Sequence, residues 1–478
     1  MNRRTKIVAT IGPASDNPDV LEQLLRAGVD VVRLNLSHGP IDEHIQRLKA
    51  VRAAAFAVGR PIAVLADLPG PKVRAGRFPD GGVLLSVGQI LAFKPGTSDS
   101  DAESCSVDYP WLLSDVEPGD RIVVGDGGIT LRVTSIGGDR LSARVETGGF
   151  VQGRPGIHLP SERLRLNAPT EEDLELAAVI AAEGVEFLGV SFVREAADLE
   201  RVRQATIPYR TRLVAKIETR LAVENMEAIV AVSDAVMVAR GDLGIECPLE
   251  DVPHLQKKII RHCVEVGVPV ITATQMLESM IVSPAPTRAE VSDVANAVFD
   301  GTDALMLSAE TAIGHDPVLV VTTMAQIAER AEAEADYTSW GNRLGRVQRK
   351  QWNDGSDRIT MAITHACAQA AADAGAEAIL CCTRSGRTVD AMARFRPMAK
   401  LIGLSPDPVT VRSMSLTWGV TPIQVDTYTS TDELVWYAVE SAVARHLVTV
   451  GSVVAVLAGA PDRASAAATD VLRLVRVE

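Results

Sequence analysis

Several short stretches of this 478-residue chain hold charged and hydroxyl residues in patterns suited to metal and anion chemistry. In Lys216-Ile217-Glu218 an ammonium and a carboxylate lie two residues apart, so on a strand they point the same way. Arg240-Gly241-Asp242-Leu243-Gly244 adds a second carboxylate at what resembles a turn into a short helix, where free N–H groups could hold a carboxylate ligand. Glu218 and Asp242 are hard oxygen donors of the kind Mg²⁺ takes, one or two at a time, leaving positions for substrate and water. Lys216 beside such an ion could steady negative charge on a phosphoryl group in transfer. Arg33, in Arg33-Leu34-Asn35-Leu36-Ser37-His38, could grip phosphate, and Thr274, in Thr272-Ala273-Thr274-Gln275, could relay a proton through water. Asp67 and Glu310 are further acids of the same kind. Taken singly, each has a bland reading: Lys–Glu strand pairs are commonly structural, Gly-Asp turns are frequent, and an isolated His38 is an ordinary loop residue.

Their positions change the weighing. Short β-branched runs at 6–10, 29–35, 62–67, 187–191, 213–216, 235–238, 269–273 and 304–307 alternate with helical stretches such as 17–27, 41–58, 171–183, 198–204 and 254–266. Eight such units close a (β/α)8 TIM barrel, and the polar residues fall at successive strand ends, where the catalytic face of that fold lies. The rhythm breaks at 70–164, a Gly-rich segment with alternating runs at 121–124, 129–133 and 141–145 between turn signals. It reads as a small β-barrel-like domain inserted at the top of the barrel, placed to act as a lid. A polar boundary at 336–357 precedes a helix at 359–374 and buried-strand runs at 378–382, 400–404 and 453–457, a C-terminal α/β domain. The Ala-rich piece 464–468 reads as a loop or helix start. The domains expected are therefore a barrel from 1–69 and 165–340, a lid from 70–164, and a C-terminal domain from 341–478.

Composition narrows the classes. Apolar residues are 47%, charged residues 23% and aromatics only 4%, which suits a large Val/Ile/Leu/Ala core. A net charge of −13 argues against nucleic-acid and anionic-membrane partners, though not against a small anion in one basic cleft. The six cysteines have no zinc-ligand spacing, and no run is long enough for a membrane span or signal peptide, so a cytoplasmic protein with reduced thiols is expected. No Gly-Lys dipeptide exists, so there is no Walker A loop.

The segments KIVATIG (6–12), RLNLSHG (33–39), VAKIE (214–218), MVARGDLG (237–244), ITATQMLESM (271–280), PTRAE (286–290), SDVANAVFDG (292–301) and MLSAET (306–311) resemble, in order, the signature of the pyruvate kinases. The resemblance spans essentially the whole chain and is sharpest in the barrel. It implies Mg²⁺- (or Mn²⁺-) dependent phosphoryl transfer from phosphoenolpyruvate to ADP, giving pyruvate and ATP, by a homotetramer. Lys216 would steady the phosphoryl group, and Glu218 and Asp242 would hold the metal. Gly241, Asp242 and Thr274 would seat the substrate carboxylate, with Thr274 near the face where enolpyruvate is protonated. Arg33, Asn35, His38 and Arg74 would face the phosphoryl group and the nucleotide phosphates, and a second Mg²⁺ would arrive with ADP.

The sequence also departs from that pattern. Where K⁺-dependent members carry a Thr after the third-strand Asp and a Glu shortly beyond, this chain has Leu68 and Lys72. Asn35, Ser37 and Asp67 remain, and the Lys72 ammonium could replace the monovalent cation, so K⁺ is not expected to be required. The lid carries Asp126 in a family-like turn, and Arg154 stands near the place of a family Lys. Residues Thr383, Arg384, Ser385, Gly386, Arg387 and Thr388 lie between a strand and a helix and resemble the family's regulatory loop, which implies a sugar-phosphate or nucleotide-monophosphate effector. The last loop, 459–470, lacks the Gly-rich and Thr-Asn pattern common in relatives, which leaves the effector open. Two other readings compete: a Mg²⁺-dependent lyase or aldolase on the same barrel, and a metabolite-binding regulator that kept the scaffold.

Overall fold

The computed structural model describes residues 3–478 except 126, 161–162, 167, 351–356, 428–429 and 460–468. The expected eight runs all form strands: β1 Lys6–Thr10, β2 Val31–Asn35, β3 Ala63–Asp67, β4 Phe187–Val190, β5 Arg212–Ile217, β6 Ala235–Ala239, β7 Val270–Ala273 and β8 Ala304–Leu307. Each pairs in parallel with its neighbours, and β8 pairs with β1, closing the barrel. Both faces of every strand are covered, which explains why the runs read as continuous apolar stretches. Val8, Val31, Leu65, Phe187, Val214 and Met237 fill the interior, and Leu416 from the C-terminal part joins them. Local signals set the helix starts. Asn17 accepts from Asp19 N at 2.9 Å ahead of helix Pro18–Ala27, and Thr287 and Glu290 form a capping box on helix Arg288–Asp300.

Inside the insertion, strand pairing gives two sheets in place of the barrel-like closure expected. Phe78–Leu85 pairs with Gly149–Gly153, and six strands order as Ile157–His158, Arg121–Val124, Ile129–Gly137, Arg140–Thr147, Ile90–Pro95 and Ser104–Val107. They share a core of their own around Phe78, Phe93, Leu131 and Leu141.

The C-terminal sheet has five strands: β9 Ala378–Cys382, β10 Lys400–Ser405, β11 Val420–Gln424, β12 Val453–Ala458 and β13 Val471–Arg476, in the order β11-β10-β9-β12-β13. The two edge strands were not legible. Pro422 breaks the strand pattern of β11, which an edge tolerates, and no residue of β13 is fully buried. The polar boundary contains a helix, Tyr337–Lys350. Among the described residues the cysteines are buried and unpaired, and no helix is long and apolar enough to cross a membrane. Asp126 and the 464–468 piece lie outside the described residues.

Candidate active site at the strand tips

Strand parity builds the site. Val31, Leu65, Phe187 and Val214 point into the barrel. Two residues further along each strand, the same parity delivers Arg33, Asp67, Gly189 and Lys216 to the upper interior. Lys216 is 8% exposed, and its Nζ lies 2.7 Å from Glu218 Oε1, 3.3 Å from Asp67 Oδ2 and 2.8 Å from Ser191 Oγ. Arg33 donates to Asp67 Oδ2 through Nε at 3.0 Å and also through Nη2, while Nη1 reaches Thr10 Oγ1 at 3.2 Å. Gly189 has to be glycine, because a Cβ there would come within 2.3 Å of Asp67 Oδ1. That oxygen is buried without a hydrogen-bond partner among the described residues.

Charge balance is uneven. Burial works against the Lys216 ammonium, but Asp67 and Glu218 more than offset it and raise its pKa. Burial also opposes charge on Asp67, yet Lys216 and Arg33 hold it below the usual carboxylate range. Glu218 is pushed up to about 7, chiefly by burial, with Asp242 repelling it and Lys216 acting the other way. The lysine is therefore firmly charged, while Glu218 shares one ammonium with Asp67 and faces a second acid. Two adjacent carboxylates short of positive charge suit a hard divalent cation. Among the described residues no group of three His, Cys, Asp or Glu side chains gathers as a metal site.

Thr274 stands opposite, at φ +68°, followed by Gln275 at +54°. Holding a β-branched residue there costs about 1–3 kcal/mol, so the surroundings must fix it. Arg240 does so: its Nη2 donates to Thr274 O at 2.7 Å and Gln275 O at 3.1 Å, and its Nη1 pairs with Asp293 at 2.6 Å. Gly241 N donates to Thr274 Oγ1 at 2.8 Å, so this amide already has an acceptor in the protein. The helix Arg240–Glu246 starts directly at the end of β6, as the sequence implied. Glu310 is committed elsewhere, accepting from Ser308 N at 2.7 Å and Leu277 N at 3.2 Å. Arg240 was missed as a positioning residue because in sequence it reads only as the charged flank of a Gly-Asp turn.

A cleft of about 250 Å³ between barrel and insertion is lined by His38, Lys72, Arg74 and Asp242, together with His158 and Arg194, which the sequence did not single out. His38 is held below its ordinary pKa by burial and by Lys72, Arg74 and Arg33. Lys72 Nζ donates to Ser37 Oγ at 2.8 Å, and Asn35 Oδ1 accepts from Ser37 N at 3.3 Å. Arg154 does not line the cleft; it stands 3.9 Å from Asp108. The 383–388 loop lies far along the chain, at the barrel's other end, where Arg212, the first residue of β5, donates to Ser385 O.

Comparison with known proteins shows the family and the fold. The family model described as the pyruvate kinase barrel domain matches residues 2–321, and that of the pyruvate kinase alpha/beta domain matches 361–475. A pyruvate kinase of Methylorubrum extorquens is 41% identical over 96% of this chain and 95% of its own length. One from Clostridium acetobutylicum is 38% identical with both chains fully covered. The crystal structure of a pyruvate kinase from Cryptosporidium parvum superposes with a TM-score of 0.91 at 31% identity, covering 100% of this chain and 97% of that one. The chain belongs to the pyruvate kinase family and is a phosphotransferase.

Proposed function

We propose that the chain transfers the phosphoryl group of phosphoenolpyruvate to ADP, giving pyruvate and ATP, with Mg²⁺ or Mn²⁺ held by Glu218 and Asp242. The observation that carries this reading is Lys216, buried and charged at a strand tip, 2.7 Å from Glu218 and 3.3 Å from Asp67, with Asp242 facing the same space. When bound, the divalent ion would supply charge neutralisation to substrate oxygens. Such transfer needs in-line positioning and electrostatic stabilisation more than covalent help. Lys216 sits where an ammonium would steady the phosphoryl oxygens, and Arg33, clamped by Asp67, presents a guanidinium to the same anion. Thr274, fixed by Arg240, places a hydroxyl near the seat of the substrate carboxylate, suited to passing a proton to enolpyruvate through water. The insertion, 70–164, covers the cleft lined by His38 and Arg74, where it would exclude water that competes for the phosphoryl group. Asn35, His38 and Arg74 are assigned to the nucleotide.

K⁺ independence belongs to the same proposal. The Lys72 ammonium bonds Ser37, beside Asn35, in the region where a monovalent cation would otherwise be held. The barrel (1–69, 165–340), lid (70–164) and C-terminal domain (341–478) are taken as functional units of a cytoplasmic homotetramer, with 383–388 as the effector loop. A coupled assay of ADP-dependent pyruvate formation tests the reading. Turnover in buffer free of K⁺ and NH₄⁺, little changed by adding K⁺, is expected. A large activation by K⁺ would defeat the cation assignment, and absence of ADP-dependent pyruvate would defeat the activity.

A further inference from the structure

The turn 36–39 leads from β2 into helix Ile41–Val58 and carries His38 to the upper cleft. Its first half is pinned from the strand side: Ser37 N donates to Asn35 Oδ1 at 3.3 Å, and Lys72 Nζ donates to Ser37 Oγ at 2.8 Å. The second half has no such support from the helix start. Pro40 stands at the N-cap and offers no side-chain hydrogen bond. His44, one turn into the helix, reaches back instead, and its Nε2 lies 2.8 Å from the His38 carbonyl oxygen. Gly39, at φ +85°, lets the turn come down onto the helix: a Cβ there would lie 3.1 Å from Glu43 Oε2 and 4.0 Å from His44 Nε2.

The state of the His44 ring follows from its partners. A carbonyl only accepts, so Nε2 carries the hydrogen and Nδ1 is left as an acceptor. The residue is 3% exposed, and Nδ1 is buried with no hydrogen-bond partner among the described residues. A charged ring would bury a second N–H with nothing to receive it. Burial accordingly holds the His44 pKa below the ordinary histidine value, against the bond to His38. A leucine would fill the same space without an unpaired nitrogen. The histidine is disfavoured as mere filling, and the bond from Nε2 is what it adds.

We propose that His44 is a positioning residue for the nucleotide, clamping the His38 carbonyl so that the turn 36–39 is already set when ADP arrives. The proposal rests on the assignment of His38 to the nucleotide. Without the clamp the turn samples other conformers, and only the competent fraction binds. The effect therefore falls on KM for ADP. Phosphoenolpyruvate, placed from Lys216 and Thr274, is untouched.

Steady-state kinetics of the full-length enzyme test it. His44→Phe keeps a ring and removes the donor, whereas His44→Gln keeps an N–H at similar reach. His44→Phe is expected to raise KM for ADP roughly three- to tenfold, the scale of one hydrogen bond, and His44→Gln to recover most of it. KM for phosphoenolpyruvate and kcat at saturating ADP should hold. Should His44→Phe fail to fold, His44→Asn, whose shorter amide falls short of the His38 carbonyl, takes its place with the same expectation. Long-range ¹H–¹⁵N NMR of the wild-type histidines needs no variant, and a hydrogen on Nδ1 in place of Nε2 overturns the clamp. An unchanged KM for ADP in His44→Phe while His38→Ala raises it overturns the positioning role and leaves His38 with the nucleotide. An unchanged KM in both defeats the assignment of His38 and the proposal with it. A parallel rise in KM for both substrates, or a fall in kcat alone, marks His44 as structural filling and overturns the proposal too.

Discussion

Both ends of the barrel bury carboxylates among cations, and the two ends are wired differently. At the lower end Asp30 is met by Arg3 at 2.8 Å, Arg60 at 3.0 Å and the Ile7 amide at 3.0 Å. Glu186, fully buried, is met by Arg52 at 2.8 Å, Arg412 at 2.6 Å and the Val64 amide at 2.7 Å. Asp303 has Arg396 at 2.9 Å and the Val270 amide at 2.9 Å. Each of these three acids is met by at least one guanidinium and one backbone amide, and Arg412 and Arg396 tie the C-terminal part to the barrel. At the upper end Asp67 keeps an oxygen without a partner, and Glu218 is pushed up to about 7 beside Asp242. A completed ion pair holds a fold together, whereas an incomplete one has capacity left for a ligand. The proximity of Lys and Glu does not separate the two cases; the remaining valence does.

The largest effect that would sharpen this contrast is on stability. Glu186→Gln leaves two arginines short of their acid and is expected to cost about 3–5 kcal/mol in chemical denaturation, with turnover of the folded fraction unchanged. Equal loss of turnover would break the division between the ends. Lys216→Met at the upper end should do the reverse, lowering kcat roughly 10²- to 10³-fold, read in the coupled assay, with secondary structure retained by circular dichroism. Arg240→Ala releases the strained Thr274 backbone; up to about 100-fold loss in kcat is expected from misplacement, partly recovered by Arg240→Lys, with little change in apparent affinity for ADP.

The smallest effect concerns His38. Burial and three neighbouring cations lower its pKa, so protonation is disfavoured in the folded state and the imidazole stays neutral to lower pH than a free histidine. Lys72→Met removes one positive neighbour, and the His38 midpoint followed by NMR should move up toward 6.5. A midpoint that stays put or falls would show that Lys72 does not act on the cleft electrostatically.

Much of the upper end was legible because strand parity is a local rule: Arg33, Asp67, Lys216 and Glu218 converge as their runs implied. The rest depended on tertiary partners. Nothing local distinguishes Arg240 as the brace of a residue 34 positions away, or His158 as a cleft residue delivered by a two-residue strand. Arg154, near the place of a family Lys, lies just past the strand Gly149–Gly153 and 3.9 Å from Asp108. The pairing at the lower end was equally hidden, because Glu186 and Arg412 are 226 residues apart.

Manganese binding, followed by electron paramagnetic resonance on the apo-enzyme, tests the central claim most directly. One site lost in Glu218→Gln and in Asp242→Asn, and kept in Glu186→Gln, is the expected result. Wild-type Mn²⁺ affinity in both upper-end variants would contradict it, since no carboxylate pair would then be holding the ion.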